Sequence, residues 1–190
     1  MSILVIGDTH IPDRAETIPF MFKNIIEEKR IWDTVIFTGD LTGKEVLDWV
    51  KDLGRRVVVV RGNMDYLALP RTQTIVVEGL RIGVHHGDGV YPRGDIDGLT
   101  RIAKQIDANI LVSGHTHSPF VKIGGNGAVL LINPGSLTGV WGGGGGSMKP
   151  SFMTLDVSKD NVVIEIYELD NDVYFRKLII NKYGGMWVYE

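Results

Sequence analysis

Residues 3–10 read ILVIGDTH, an apolar run that passes directly into a glycine, an aspartate and a histidine. The apolar part is short, rich in β-branched residues and does not alternate with polar ones, which is typical of a strand buried on both faces. Similar runs follow at 35–37 and 57–60, and amphipathic stretches near 16–31 and 43–53 separate the three runs. The order strand, helix, strand, helix, strand predicts a parallel sheet with right-handed crossovers.

Polar residues that could bind a ligand follow each of these predicted strands. Asp8 and His10 come after the first strand, Asp40 after the second and Asn63 after the third. Because ligands bind outside the carboxyl ends of parallel strands, we expect these side chains to share one edge of the sheet.

The rest of the chain is predicted to be mainly β. We expect a hairpin over 74–85 around the Glu78-Gly79 turn and a helix near 96–107. Later apolar runs between turn clusters predict six more strands, at 110–112, 120–123, 129–132, 152–157, 162–169 and 173–180. Together these strands predict a second, largely antiparallel sheet packed against the first.

The composition narrows the class of protein. A chain of 190 residues that is 44% hydrophobic and 23% charged is expected to form one domain over 1–190. The net charge of −3 gives no basic surface, so nucleic acid is not the expected partner. The chain has no cysteine, which excludes disulfides and thiolate metal sites. It shows no signal peptide and no apolar run long enough to span a membrane, so we expect a cytoplasmic protein without a membrane partner.

All five histidines lie in short motifs with glycine, aspartate or asparagine. Asp8 and His10 are two positions apart, as are His115 and His117, and in an extended chain such residues point the same way. Each pair could therefore deliver both side chains into one site. A lone histidine is more often structural than a ligand, but this pairing favours metal binding.

Two neighbouring histidines need to be told apart. His85 and His86 share a predicted strand, so their side chains should point to opposite faces. His86 lies nearer the end of the strand and the Gly87-Asp88 turn. We therefore expect His86 to be the ligand and His85 to be structural.

The donor types favour two divalent metal ions. A carboxylate such as Asp40 can bridge two ions, and such a pair can ionise a shared water molecule at neutral pH, while Asn63 adds a neutral oxygen. With few carboxylates in the set, the site would keep net positive charge, which suits an anionic phosphoester. Histidine with oxygen ligands indicates Mn, Fe, Co, Ni or Zn rather than Mg or Ca, and manganese is the ion we expect.

The five motifs resemble the signature of the calcineurin-like metallophosphoesterase superfamily. The resemblance implies an α/β (α+β) sandwich of two packed mixed β-sheets flanked by helices. It also implies one metal held by Asp8, His10, Asp40 and His117, and a second held by Asp40, Asn63, His86 and His115.

Within that superfamily the chain is similar to a small branch without accessory domains. This branch contains microbial phosphodiesterases and the retromer's vacuolar-protein-sorting subunit 29. The similarity covers nearly the whole chain, and segments at 10–14, 60–62, 92–95, 132–136 and 150–152 resemble the retromer subunit in particular.

Met64 departs from the family pattern. Typical members carry a histidine at this position of the Gly-Asn-x-Asp motif, where it can protonate the leaving group, and a thioether has no proton to give. Loss of a general acid typically costs about 10² to 10⁴ in rate. Asp65 then has no histidine to orient, and it could instead fix Asn63 or the local turn.

The sequence therefore predicts a hydrolase, most specifically a dinuclear metal-dependent phosphodiesterase with Asp40, Asn63 and His115 as catalytic residues. These residues would act through a hydroxide shared by the two metals, on a phosphoester small molecule or a nucleotide. The alternative is a metal-binding protein-interaction scaffold resembling the retromer subunit, with weak or no catalysis and a protein partner or a second copy of the chain. Asp40 and Asn63 favour the enzyme, because the retromer branch departs from the catalytic pattern at these positions.

Three arginines and one loop each allow two interpretations, and a second loop is assigned no catalytic role. Arg14, Arg61 and Arg93 could contact phosphate oxygens or be solvated surface residues. Residues 142–146 are five glycines, either a simple connector or a lid over the site. Residues 133–136 read as a turn, and no catalytic role is assigned to them.

Overall fold

Three helices and twelve strands make up the part of the chain that the computed structural model describes, residues 1–28 and 31–190. The helices are α1 (Phe20–Glu28), α2 (Lys44–Asp52) and α3 (Ile96–Gln105). The strands are β1 (Ser2–Ile6), β2 (Trp32–Phe37), β3 (Gly54–Val59), β4 (Thr72–Val77), β5 (Leu80–His85), β6 (Ile110–Val112), β7 (Pro119–Gly124), β8 (Val129–Pro134), β9 (Ser151–Ser158), β10 (Asn161–Asp170), β11 (Asp172–Tyr183) and β12 (Met186–Tyr189).

The N-terminal βαβαβ unit is confirmed. Strands β1, β2 and β3 are parallel neighbours, with Ile3 opposite Thr34 and Trp32 opposite Gly54. Helix α2 matches its prediction closely, whereas α1 is shorter than the predicted 16–31, whose residues 29 and 30 lie outside the described residues. The hairpin of β4 and β5 and the helix α3 are also confirmed.

The predicted membership of the second sheet was wrong. The C-terminal strands extend the first sheet, which runs β12-β11-β10-β9-β1-β2-β3, and β9 is antiparallel to β1. The second sheet is β4-β5-β6-β8-β7, and it is mixed rather than largely antiparallel, because β5, β6 and β8 are parallel. Strand β1 is buried, so the backbone groups on its free edge need a partner strand, and β9 supplies it.

The two sheets pack face to face between helices, and this layering explains the non-alternating apolar strands. Ile3 and Val5 of β1 point into the core shared with the second sheet, where they join Ile82 of β5. Leu4 and Ile6 point the other way, under α1 and α2. Helix α3 covers the outer face of the second sheet. No helix within residues 1–28 and 31–190 has the length and hydropathy needed to cross a bilayer.

Strand β12 was not predicted, yet it contributes a core residue. Trp187 is 2% exposed, lies in the cluster between the sheets and donates its indole N–H to the Asn109 carbonyl oxygen at 3.0 Å. We expect Trp187→Ala to lower the free energy of unfolding by about 3–5 kcal/mol, because it opens a cavity in a close-packed core. Urea unfolding followed by circular dichroism measures this change.

Val188→Ala on the same strand is the matched control, because Val188 is 46% exposed. Its effect should stay within about 1 kcal/mol. Equal effects of the two substitutions would contradict the assignment of β12 to the core.

Candidate metal centre

The polar motifs meet at one edge of the sandwich, in the loops that follow five strands. The first sheet contributes the loops after β1, β2 and β3, and the second sheet contributes those after β5 and β6. Within the described residues, two groups of side chains could each hold a metal ion, with ligand atoms no more than 4.8 Å apart. One group is Asp8, His10 and His117, and the other is Asp40, His86 and His115.

The first group joins residues 107 positions apart in the sequence. The Nε2 atoms of His10 and His117 are 3.2 Å apart. Asp8 Oδ1 lies 3.3 Å from His117 Nε2. All three side chains are buried.

The second group adjoins the first through Asp40. Its Oδ2 atom lies 3.3 Å from His86 Nε2 and 3.5 Å from His10 Nε2. The His115 ring meets the His86 ring edge-on, with centroids 5.1 Å apart. Asn63, which is exposed at the rim, places Oδ1 3.2 Å from His86 Nε2. Asp40 therefore stands between the two groups, where a bridging ligand would be needed.

Backbone carbonyl groups orient two of the imidazoles. The Nδ1 atom of His86 lies 2.8 Å from the Thr38 carbonyl oxygen, and that of His117 lies 2.7 Å from the Val140 carbonyl oxygen. A carbonyl can only accept, so each Nδ1 carries the proton and donates it. The Nε2 lone pair of each neutral ring is thereby directed into the group, as in most histidine-ligated metal sites.

The backbone at these residues differs from the prediction. Asp8, His10, Asp40, His115 and His117 all have positive φ, between 48° and 70°, so neither histidine-containing pair is extended. The side chains converge through left-handed turns rather than through strand alternation, and His115 and His117 enter different groups. Each such residue costs on the order of 1–3 kcal/mol, a cost that clusters at functional sites.

Proton binding compensates the buried charges within the protein itself. Burial raises the pKa of Asp40, but the hydrogen bond and charge of His86 outweigh it, so that the pKa is about 2. Burial lowers the pKa of His86, but Asp40 and Asp8 raise it to about 9. The pKa of His117 is likewise raised, because its bond to Asp8 outweighs burial.

The other two histidines favour the neutral form. Burial lowers the pKa of His10. Burial and the positive charges of His86 and Arg93 lower the pKa of His115 to about 4. Neutral imidazole is the form that binds metals.

The donor set fits divalent metal ions. Ligand atoms that share a tetrahedral ion at about 2.1 Å lie about 3.4 Å apart, which is close to the spacings of 3.2 and 3.3 Å in the first group and to the 3.3 Å between Asp40 Oδ2 and His86 Nε2 in the second. Imidazole nitrogens facing one another, with carboxylate oxygens between them, need a shared cation or proton. The Nε2 atoms of His10 and His117 form such a facing pair at 3.2 Å, so the cluster fits a bound cation.

A cavity of about 230 Å³ opens over both groups. Met64 lines it, and the Met64 backbone N–H donates to Asp40 Oδ1 at 2.8 Å. His85 belongs to neither group, and its Nδ1 accepts from the Gly87 N–H at 2.9 Å. Arg14 and Arg93 also line the cavity, whereas Arg61 lies in a neighbouring pocket with Asn63.

Asp65 fixes the local turn, one of the two roles left open by the sequence. Its carboxylate accepts from the backbone N–H groups of Gly62, Asp40 and Thr42 at 2.8–2.9 Å. The loop after β3 is thus tied to the loop after β2. The two loops also touch at Gly62, where a Cβ atom would lie 2.1 Å from Asp40 Oδ1, so only glycine fits there.

Residues 133–138 hold the loops of the site in place. Their prediction as a turn did not indicate this role. Asn133 Nδ2 donates to the Gly114 carbonyl oxygen at 2.7 Å, next to His115. Ser136 Oγ donates to the Asp8 carbonyl oxygen at 2.7 Å. Both side chains are buried, and the amino-acid composition of the segment does not predict that burial.

Comparison with known proteins agrees with this geometry. The family model for the calcineurin-like phosphoesterase superfamily domain matches residues 1–160. A probable metallophosphoesterase of Methanocaldococcus jannaschii is 48% identical over 138 residues, covering 73% of this chain and 69% of the relative.

Two solved structures are also similar. Vps29 of Entamoeba histolytica complexed with Zn²⁺ is 36% identical, with a TM-score of 0.83 over 94% of this chain and 99% of the other. Vacuolar Protein Sorting 29 of Cryptosporidium parvum is 26% identical, with a TM-score of 0.89 over 95% and 98% of the two chains. The motifs, the sandwich and these relatives together show that the chain belongs to the calcineurin-like phosphoesterase superfamily.

Proposed function

We propose that this chain is a metal-dependent phosphodiesterase that acts on a small phosphodiester, and that residues 1–190 work as one domain. The observation that carries the proposal is the pair of adjoining ligand groups joined by Asp40 at the floor of an open cavity. The proposed metal ligands are Asp8, His10, Asp40, Asn63, His86, His115 and His117.

The charge of this set suits a phosphoester. Asp8 and Asp40 are the carboxylates of the two groups, and the remaining donors are neutral when a metal is bound. Two divalent ions held here would leave net positive charge for the phosphate oxygens and would lower the pKa of an attacking water molecule. Asp40, Asn63 and His115 all line the cavity, where they would face a bound ester.

The lack of a proton donor at position 64 limits which esters the chain could hydrolyse. Met64 lines the cavity at the position where the family pattern has a proton-donating histidine, and its thioether cannot donate. The leaving group must therefore depart as a stable anion. This requirement favours activated phosphodiesters over alkyl monoesters.

The similar proteins bear on the choice of metal and suggest a second candidate function. Manganese is the ion expected from the donors, and the Zn²⁺ in the similar Vps29 structure makes zinc the first alternative to test. The same Vps29 likeness supports a scaffold role, in which the cavity face would bind a protein. Purified chain that shows no turnover with any metal and binds one defined protein partner would favour the scaffold.

We expect Mn²⁺ or Zn²⁺ to stabilise the protein, because an ion that binds only the folded state adds free energy by mass action. At a hundredfold excess over Kd the gain is about 2.7 kcal/mol, which should raise the Tm by about 5 °C or more. Differential scanning fluorimetry with and without a chelator measures the shift.

Two neighbouring histidines provide a matched pair for this experiment. His86→Ala should abolish most of the shift, whereas His85→Ala should keep it, since His85 lies outside both groups. An equal shift in both variants would argue against the proposed ligand set.

We expect Asp40→Asn to lower the rate of hydrolysis of bis-p-nitrophenyl phosphate by about 10³-fold, because an amide cannot bridge and neutralise two cations as a carboxylate does. Release of p-nitrophenol from metal-loaded protein gives the rate. Asp88→Asn is the control, because Asp88 pairs with Arg71 outside the cavity. Equal rates for wild type and Asp40→Asn would overturn the proposed function.

We expect Met64→His to increase hydrolysis of esters with poor leaving groups by about 10²-fold, because it restores a proton donor at the cavity wall. Activated aryl diesters should change little, since their leaving groups need no proton. Met64→Leu should resemble wild type on both classes. A uniform change across leaving groups would show that position 64 does not face the leaving group.

A further inference from the structure

The loop that follows β8 forms one wall of the cavity. His117 Nδ1 donates to the Val140 carbonyl oxygen, and the Ser147 N–H donates to the His117 carbonyl oxygen at 3.1 Å. A Cβ atom on Gly142 would lie 2.5 Å from His117 Cγ, so glycine alone permits this approach. The first glycine of the run is therefore part of the site, and the loop is more than a connector.

Two arginines fasten this wall to the rest of the site. Arg14, from the loop after β1, donates to the Trp141 carbonyl oxygen at 2.9 Å. Arg93, from the loop between β5 and α3, donates to the Gly142 carbonyl oxygen. Both guanidinium groups line the cavity, and each keeps further N–H donors for an anion.

Trp141 belongs to the backbone segment that the two arginines hold in place. The residue lines the cavity yet is 57% exposed, whereas Trp32 and Trp187 are at most 3% exposed. Arg14 Cζ lies 5.7 Å from the centroid of the Trp141 ring. Arg14 therefore lies over one face of the indole, and the 57% exposure of the side chain leaves ring surface open to a ligand.

We propose that Trp141 stacks on a nucleobase of the substrate, so that the natural substrate is a small nucleotide phosphodiester. The inference rests on the proposed function and names its substrate class. Every nucleobase offers a planar π face, and stacking on an aromatic side chain strengthens binding by about tenfold or more. Arg14 and Arg93 lie where they can contact the phosphate of the same molecule.

The remaining features favour a small nucleotide over a polymer. The cavity holds about 230 Å³, and the chain has a net charge of −3. Polymeric nucleic acid requires an extended basic track, which a chain of this charge does not suggest. A mononucleotide has one base for the exposed indole and one phosphate for the two arginines.

Binding of adenosine 5′-monophosphate and ribose 5-phosphate to metal-loaded protein tests the inference, because the two ligands differ only in the base. Isothermal titration calorimetry should show that wild type binds the nucleotide about tenfold more tightly. Trp141→Ala should lose this preference, and Trp141→Phe should keep part of it. Tyr91→Ala, which removes a 92% exposed aromatic side chain outside the cavity lining, should leave it unchanged.

Equal affinity of wild type for the two ligands, or a preference that survives Trp141→Ala, would overturn the inference. The latter result is the one expected if Trp141 instead contacts a protein partner. Because Trp141 is exposed, its variants should unfold at the wild-type midpoint, which a thermal melt verifies. These binding measurements need no turnover, so their failure is distinguishable from a failure of the Asp40→Asn comparison.

Discussion

Asp8 and Asp40 are buried carboxylates at the edge where the two sheets meet, and each faces an imidazole delivered by the opposite sheet. A buried charge without a partner is strongly destabilising, so both carboxylates require compensating positive charge. Protons on His86 and His117 supply it in the free protein, as the raised pKa values of these histidines show. Divalent ions would displace those protons, so that protons and metal ions compete for the same sites. The arrangement of the surrounding loops follows from this requirement.

The loops achieve the convergence through strained backbone that hydrogen bonds then hold in place. Asp40 has a φ of 57°, and its backbone N–H is bound by the Asp65 carboxylate. Asp8 has a φ of 50°, and its carbonyl oxygen accepts from Ser136. The backbone that carries the two carboxylates is therefore held by polar side chains that are themselves buried. Positioning in this way restricts the motion of the ligands before any ion or ester arrives.

Local patterns in the sequence were sufficient to predict the residues at the strand ends and every strand except β12, because burial on both faces and turn composition are properties of short segments. They could not predict that β9 pairs with β1, since that pairing depends on which edge of the first sheet is left open. They also could not separate His115 from His117, which only the family resemblance assigned to different metals, because the left-handed backbone that sends them to different groups has no signature in histidine spacing. Sequence patterns also did not single out Trp141, since Arg14, which holds its backbone carbonyl, is 127 positions away.

Met64 and Trp141 line the same cavity but would act on different parts of a bound ester. A thioether gives no proton, so the rate must follow the stability of the departing anion, and weakly acidic alcohols leave slowly. Stacking on an indole needs no proton and no particular leaving group, so it acts equally on substrate and transition state. Uniform binding of that kind improves capture at low substrate concentration without raising kcat. With the proposed activity, such a cavity would select its substrates by recognition and by the acidity of the leaving group, and the missing general acid would then restrict the chemistry rather than abolish function.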